Sequence, residues 1–403
     1  MIKTKYKTSK IKFCILIIII LCGFQFYNYY GLSNTIQKLP LMVMIPLLFI
    51  STFKQLLVKE KDVFYRAFRW LLILWGLSLF SAYIFWDQPI VHTYRASANY
   101  FFFIIFFYFC KERIRIDSLE KIIVLFGWLY IILWLYAMFR APSLTFGVSE
   151  DNEVSDNMQR GMLRINFTGR LSLIFAYFYY LNKCFIERRP KFIIFAGIFF
   201  VFIVLQLTRQ LILWAGVVSI IYIFLRAKKL AVALSILFFA MYAGVTNIHF
   251  SDNNIIGAMI NLTNDQAKYA GDDIRVEEYR YFLTDWSPNV VTSLIGNGMP
   301  HSETEYGHYY QTLQNNGFFL SDVGYPCMYV LVGVLGLAIY LFLYIKGAFL
   351  KLPKEYNYVN MFLLFLIPAN IAASWYGGAD TQLAFSICIY IIYVQRKKSH
   401  SLK

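Results

Sequence analysis

Residues 192–226 read FIIFAGIFFVFIVLQLTRQLILWAGVVSIIYIFLR. Two apolar runs, 192–207 and 211–225, meet at Thr208-Arg209-Gln210 with almost no loop between them. A helix needs ~20 apolar residues, and about 17 at the least, to cross a hydrocarbon core ~30 Å thick. These runs approach that length and offer no polar stripe that water would wet. The stretch predicts a helical hairpin in a bilayer with an arginine at its turn.

The same pattern recurs outward in both directions. Apolar runs at 13–30, 39–53, 70–86, 96–110, 122–139, 166–182, 192–207, 211–225, 230–247, 322–345, 358–374 and 382–394 give 12 expected spans. Of the 403 residues, 59% are hydrophobic and 15% charged; a soluble domain averages about 45–50% and about 25%. The chain is expected to be an all-α polytopic membrane protein, one integral membrane domain over 1–403. Soluble enzymes, secreted disulfide scaffolds and disordered chains are excluded. The 6 cysteines lie in or beside the expected spans with no C-x-x-C pair, so neither a disulfide framework nor a zinc site is indicated. Lys3 to Lys12 before an apolar run resembles a signal peptide, but no small-residue cleavage site follows. An uncleaved first helix is expected.

The net charge of +15 is a topology signal once its distribution is read. Alternate connections 1–12, 54–69, 111–121, 183–191, 226–229, 346–357 and 395–403 hold 28 of the 38 Lys and Arg residues but 7 of the 23 acidic ones. This positive-inside asymmetry puts both termini in the cytoplasm and the long connections outside. No nucleic-acid partner is implied.

None of the cytoplasmic connections is long enough for a crossover unit that cradles a nucleotide, and neither G-x-x-x-x-G-K-[ST] nor G-x-G-x-x-G is present. Any chemistry lies in the bilayer or outside it, without a cofactor. Two outer segments are long: 140–165 and 248–321, the latter between spans nine and ten. Connections of such length are functional or disordered. Asp272 and Asp273 are expected to cap a short helix running to about Trp286, with Val276, Tyr279, Leu283 and Trp286 at helical spacing against the membrane or the bundle.

The middles of the expected spans hold no Asp, Glu, Lys, Arg or His. Transporters place such residues there to mark a pathway, which disfavours a polysaccharide or lipid transporter. Charge gathers instead at the outer ends, in Arg140, Arg164, Arg170, Arg209, Arg275, Arg280, His301, His308 and Asp322. Arg209 either snorkels to lipid headgroups or grips a phosphate with its planar donor fork. Arg275 and Arg280, five positions apart, lie ~140° around a helix. They either form ion pairs with Glu278 and Glu277 or serve a ligand, Arg275 in preference. His301 and His308 are the side chains best suited to accept a proton near neutral pH. Their His-x₆-His spacing is not a specific zinc pattern, so no metal is expected. Asp322 is either the N-cap of span ten or a functional carboxylate.

In order, Thr208-Arg209, an arginine-bearing outer loop, Leu294-Ile295-Gly296-Asn297-Gly298, the histidine segment and Ser321-Asp322-Val323-Gly324 running into Val332-Gly333-Val334-Leu335-Gly336 resemble the O-antigen and capsule repeat-unit polymerases (Wzy-type). These belong to a superfamily shared with the O-antigen ligases. The likeness covers about 160–345, and it departs from the family's Thr-x-Ser-Arg-like turn in having no serine beside Arg209.

The resemblance implies a GT-C-like fold and transfer of a growing glycan from undecaprenyl pyrophosphate to the next lipid-linked repeat unit at the outer leaflet. A chain-length regulator and a flippase are implied partners. Arg164, Arg170, Arg209, Arg275 and Arg280 would hold the pyrophosphate. His308 in preference to His301, or Asp322, would take the acceptor's proton. Tyr306, Tyr309, Tyr310 and Trp286 would offer flat faces to sugars. A ligase acting on lipid A core would use the same arginines; Ser321-Asp322-Val323-Gly324 favours the polymerase.

Overall fold

Apolar runs in lipid become helices because no water is present to satisfy exposed backbone groups. The computed structural model describes residues 10–24, 34–140, 169–206, 208–227, 232 and 274–401. Among these, every regular element is helical. Five helices are long and apolar enough to cross a membrane: Ile36–Leu56, Val63–Trp86, Ile116–Arg140, Arg209–Arg226 and Gly324–Ala348.

In chain order the helices are α1 (Lys10–Phe24), α2 (Asn34–Leu56), α3 (Val63–Trp86), α4 (Ile90–Phe101), α5 (Ile105–Glu112), α6 (Ile116–Arg140), α7 (Arg170–Glu187), α8 (Pro190–Leu205) and α9 (Arg209–Arg226). They continue with α10 (Ile274–Thr284), α11 (Val290–Ile295), α12 (Glu305–Asn315), α13 (Gly324–Ala348), α14 (Asn357–Ala369) and α15 (Ala379–Ser401). The hairpin read from 192–226 is α8 and α9, joined at Thr208. The expected span 96–110 is not one helix: a 3₁₀ turn at Phe102–Ile104 separates α4 from α5. The expected span 230–247 lies outside the described residues except at Val232, as do 141–168 and 248–273.

α15 lies at the centre. Residues 379–393 are buried on every side, the pattern of a helix surrounded by others, and α15 packs on α1, α3, α4, α5, α6, α7 and α14. The connections sort by charge. At one end Arg396 Nε donates to Asp62 Oδ2 at 2.7 Å, Lys397 pairs with Glu60 at 2.6 Å, and Asn182 Nδ2 donates to the carbonyls of Lys354 and Glu355. Tyr390 Oη reaches Ile114 O there at 2.7 Å. The basic connections 54–69 and 395–403 therefore meet directly, 111–121 lies against α15, and 346–357 lies against the end of α7 just before 183–191.

The opposite end is built from 87–89, 169–170, 208–210, 296–323 and 370–380. Here the described part of the long 248–321 connection folds back on the helices. α10 and α11 pack on α13, and α11 also packs on α3. The seat for α11 is a break in α13. Gly333 has φ 68 and ψ −176 inside the helix, a conformation open in practice to glycine alone. The break frees Val330 O, which accepts Asn297 N at 2.7 Å, so the buried acceptor keeps a partner. Gly296, at φ 95, lies against this backbone. A Cβ there would stand 2.3 Å from Leu331 O, and one at Gly333 would stand 2.3 Å from Leu294 O. The two glycine-bearing motifs quoted from the sequence thus meet backbone to backbone. Asn297, fully buried, locks the junction by accepting Trp86 Nε1 at 3.0 Å and donating to Ser287 Oγ at 2.9 Å.

Candidate functional site

Segment 370–378, between α14 and α15, organises the end of the bundle where the arginines lie, and it works largely through its backbone. Ala372 O accepts Gln210 Nε2 at 3.1 Å, and Ile371 O accepts the Tyr279 hydroxyl of α10. Ser374 N donates to Ser321 O at 2.8 Å. Gly324 packs so closely that a Cβ would stand 2.2 Å from Asn370 O. The turn before α9, α10 and the start of α13 are in this way held to one short stretch.

α7 brings in Arg170. Its side chain is buried, only 8% exposed. The guanidinium lies over the Trp375 ring, 5.4 Å from the centroid, and Nη1 donates to Thr208 Oγ1 at 3.4 Å. The hydroxyl beside Arg209 thus contacts Arg170, while Arg209 itself opens α9. Asp380, buried in the first turn of α15, accepts Gly169 N and Leu171 N at 3.1 Å each. Its carboxylate sits at the start of α7, where the helix dipole favours negative charge.

The other expected residues divide. Arg275 is half-buried and Arg280 exposed, both on α10. That helix ends at Thr284, so Trp286 lies beyond it. Its buried face is Glu278 and Phe282 rather than Val276 and Leu283, which are exposed. The reason is polar: Glu278 Oε1 accepts Phe319 N at 2.6 Å, so this carboxylate turns inward and braces the stretch before Asp322. Asp322 is half-buried and accepts Ser321 Oγ at 3.2 Å. It is not an N-cap; Val323 holds that position, without a side-chain bond. Arg164, Asp272 and Asp273 lie outside the described residues.

The histidines part company. His308 is exposed on α12, its Nδ1 3.2 Å from Gln311 Oε1 of the same helix. His301 enters a cleft of about 370 Å³ whose lining includes Lys38, Arg95, Glu303, Tyr310 and Gln311. Its partner is His92 on α4, with Nδ1 atoms 3.3 Å apart. Glu303 Oε2 lies 3.5 Å from His92 Nδ1 and 3.3 Å from Arg95 Nη1. The loop is held by Gln88, whose Oε1 accepts His301 N at 2.9 Å and Thr304 Oγ1 at 2.7 Å. Gln88 Nε2 donates to Met299 O at 2.8 Å and Thr93 Oγ1 at 2.7 Å. Burial holds the His301 imidazole below the usual histidine range, and Arg95 and His92 add to this. The cleft joins the arginine side through Tyr310, whose hydroxyl accepts Leu320 N at 2.8 Å, next to Ser321 and Asp322.

Two of the aromatic residues expected to face sugars are core instead. Trp286 and Tyr306 are buried, Trp286 Nε1 donates to Tyr306 Oη at 3.1 Å, and Tyr306 stacks on Trp86 at 4.2 Å. Tyr309 is exposed, with its hydroxyl 2.5 Å from that of Tyr281, and Tyr310 lines the cleft.

Comparison with known proteins finds no matching family model, no matching curated protein and no matching solved structure. The residues that sequence reasoning passed over are Gln88, His92, Arg95, Trp375 and Asp380. A faint signal existed for His92 and Arg95, which lie in the connection 87–95 on the expected outer side, one helical turn apart.

Proposed function

We propose that this chain is a membrane glycosyltransferase that polymerises lipid-linked oligosaccharide repeat units, with 12 spans in a GT-C-like arrangement. The observation that carries the reading is Arg170, a buried guanidinium held over Trp375 and bonded to Thr208 beside Arg209. A lipid pyrophosphate presents its charge at headgroup level, where the helices bearing these arginines begin. The donor is already activated, which fits a chain lacking nucleotide-binding motifs.

In the reaction the acceptor hydroxyl oxygen bonds to the anomeric carbon of the growing glycan, and the bond from that carbon to the pyrophosphate oxygen breaks. The bonding pair leaves with the pyrophosphate. Arg170, Arg209 and Arg275 stabilise the growing charge from positions fixed in advance. The acceptor's proton goes to a base. Asp322 suits that role, since Ser321 is bonded to the segment that also carries Trp375. His308 is the alternative and lies farther out, exposed on α12.

The bilayer is the site's second partner, and the active face is the outer one, argued from the charge asymmetry. The deciding experiment supplies purified protein with undecaprenyl-pyrophosphate-linked oligosaccharide. A ladder of repeats is expected. Transfer to lipid A core without a ladder would make the chain a ligase, and no transfer of either kind would remove the enzymatic reading.

A further inference from the structure

The cluster of His92, His301 and Glu303 has a geometry that packing alone does not require. His92 and His301 are 209 positions apart, yet their Nδ1 atoms face each other at 3.3 Å. Glu303 Oε2 stands 3.5 Å from His92 Nδ1, and the three donor atoms all lie within 4.8 Å of one another. An ion bound at about 2.0–2.1 Å with tetrahedral angles spaces its ligand atoms about 3.4 Å apart. Two of the three edges match that spacing.

The supporting shell is rigid. Gln88, 0% exposed, fixes the His301 backbone and Thr304 from one side. Gly307 lets the His301 carbonyl lie against α12, where a Cβ would stand 1.8 Å from it. Ligands held by outer hydrogen bonds in this way need little reorganisation to bind. When both rings carry their proton on Nε2, two Nδ1 lone pairs face each other across 3.3 Å. His301 Nδ1 also receives Glu303 N–H at 3.3 Å, which makes it an acceptor. An ion on that lone pair takes the place of the Glu303 N–H, with the Glu303 carboxylate 3.5 Å from His92 Nδ1.

We propose that His92, His301 and Glu303 form a divalent transition-metal site of the zinc type at the rim of the cleft. Two imidazoles and one carboxylate suit zinc, whereas magnesium and calcium prefer oxygen ligands. Arg95 and Lys38, both lining the cleft, oppose a hard cation held by charge alone, so binding rests on the imidazoles. His301 and Glu303 also line the cleft, so the ion's fourth position faces it, open to water or to an oxygen of a bound ligand. The site does not depend on the glycosyl-transfer reading.

The test uses full-length protein in detergent, stripped with chelator and then titrated with Zn²⁺ or Co²⁺. One ion per chain is expected, and Co²⁺ should give the visible absorption of a four-coordinate site. His92→Gln and His301→Gln, which keep a polar side chain, should each weaken binding about tenfold or more, and Glu303→Gln should weaken it less. Thermal unfolding without metal shows whether each variant is folded. If a histidine variant is not, a Zn²⁺-induced rise in the unfolding temperature of the wild type that Glu303→Gln reduces stands as the supporting result. Equal stoichiometry and affinity in the wild type and the folded histidine variants would overturn the proposal, as would a wild type that takes up no ion.

Discussion

The carbonyl oxygen of His301 rests against Gly307, so close that a Cβ at position 307 would stand 1.8 Å from it. The contact brings the loop before α12 down onto that helix's first turn, where Thr304 Oγ1 accepts Gly307 N at 3.2 Å. Gly307→Ala must move the loop or the helix, at a cost of about 1–3 kcal/mol. Its unfolding temperature in detergent should fall. The control is Gly216→Ala, where a Cβ meets nothing within 4 Å. Equal unfolding temperatures in the two variants would refute the contact.

Gly333→Ala and Gly296→Ala are expected to be more severe. Each adds a Cβ 2.3 Å from a carbonyl oxygen and also forces a side chain into a positive-φ backbone. The strain alone is of order 1–3 kcal/mol at each position. The yield of folded protein, followed by size-exclusion chromatography, should drop for both. Normal yield would mean that α13 is continuous and α11 sits elsewhere.

Gln88→Leu removes four hydrogen bonds around His301 while keeping much of the volume. Buried groups left without partners cost about 1–3 kcal/mol each. The loop 299–304 should become accessible, so hydrogen exchange at His301 N is expected to speed up strongly while exchange in α15 stays slow. Unchanged protection at His301 would show that Gln88 does not hold it.

Under the proposed activity, Arg209→Ala and Arg275→Ala should abolish the repeat ladder, a loss of about 100-fold or more for a fixed donor to a developing anion. Lysine at either position should restore part of it, because the planar fork is lost. Arg280→Ala, at an exposed position, should lose least. Full ladders from Arg209→Ala and Arg275→Ala, in protein inserted normally, would sink the pyrophosphate role.

Much of this fold is legible in hydropathy. The hairpin at Thr208 and the five long apolar helices follow from run length, because a bilayer leaves the backbone no other solution. The site is legible only in part. Arg170 and Thr208 were visible as polar residues at span ends, and they do touch. Segment 370–378 was not, because carbonyls do much of its work and carbonyls have no residue type. His92 was missed because its partner lies 209 positions away, and helical spacing says nothing across such a distance. Trp286 and Tyr306 misled because an aromatic ring in an outer loop reads the same whether it faces a ligand or a core.

The break at Gly333 also ties the shape of α13 to what is attached to it. From Val334 to Ala348 its uninterrupted part spans about 22 Å. Straightening the helix would return Val330 O to the helical ladder and leave Asn297 N without its acceptor. It would also drive the 333 backbone against Leu294 and Gly296. The bend and the seating of the 296–298 turn therefore stand or fall together.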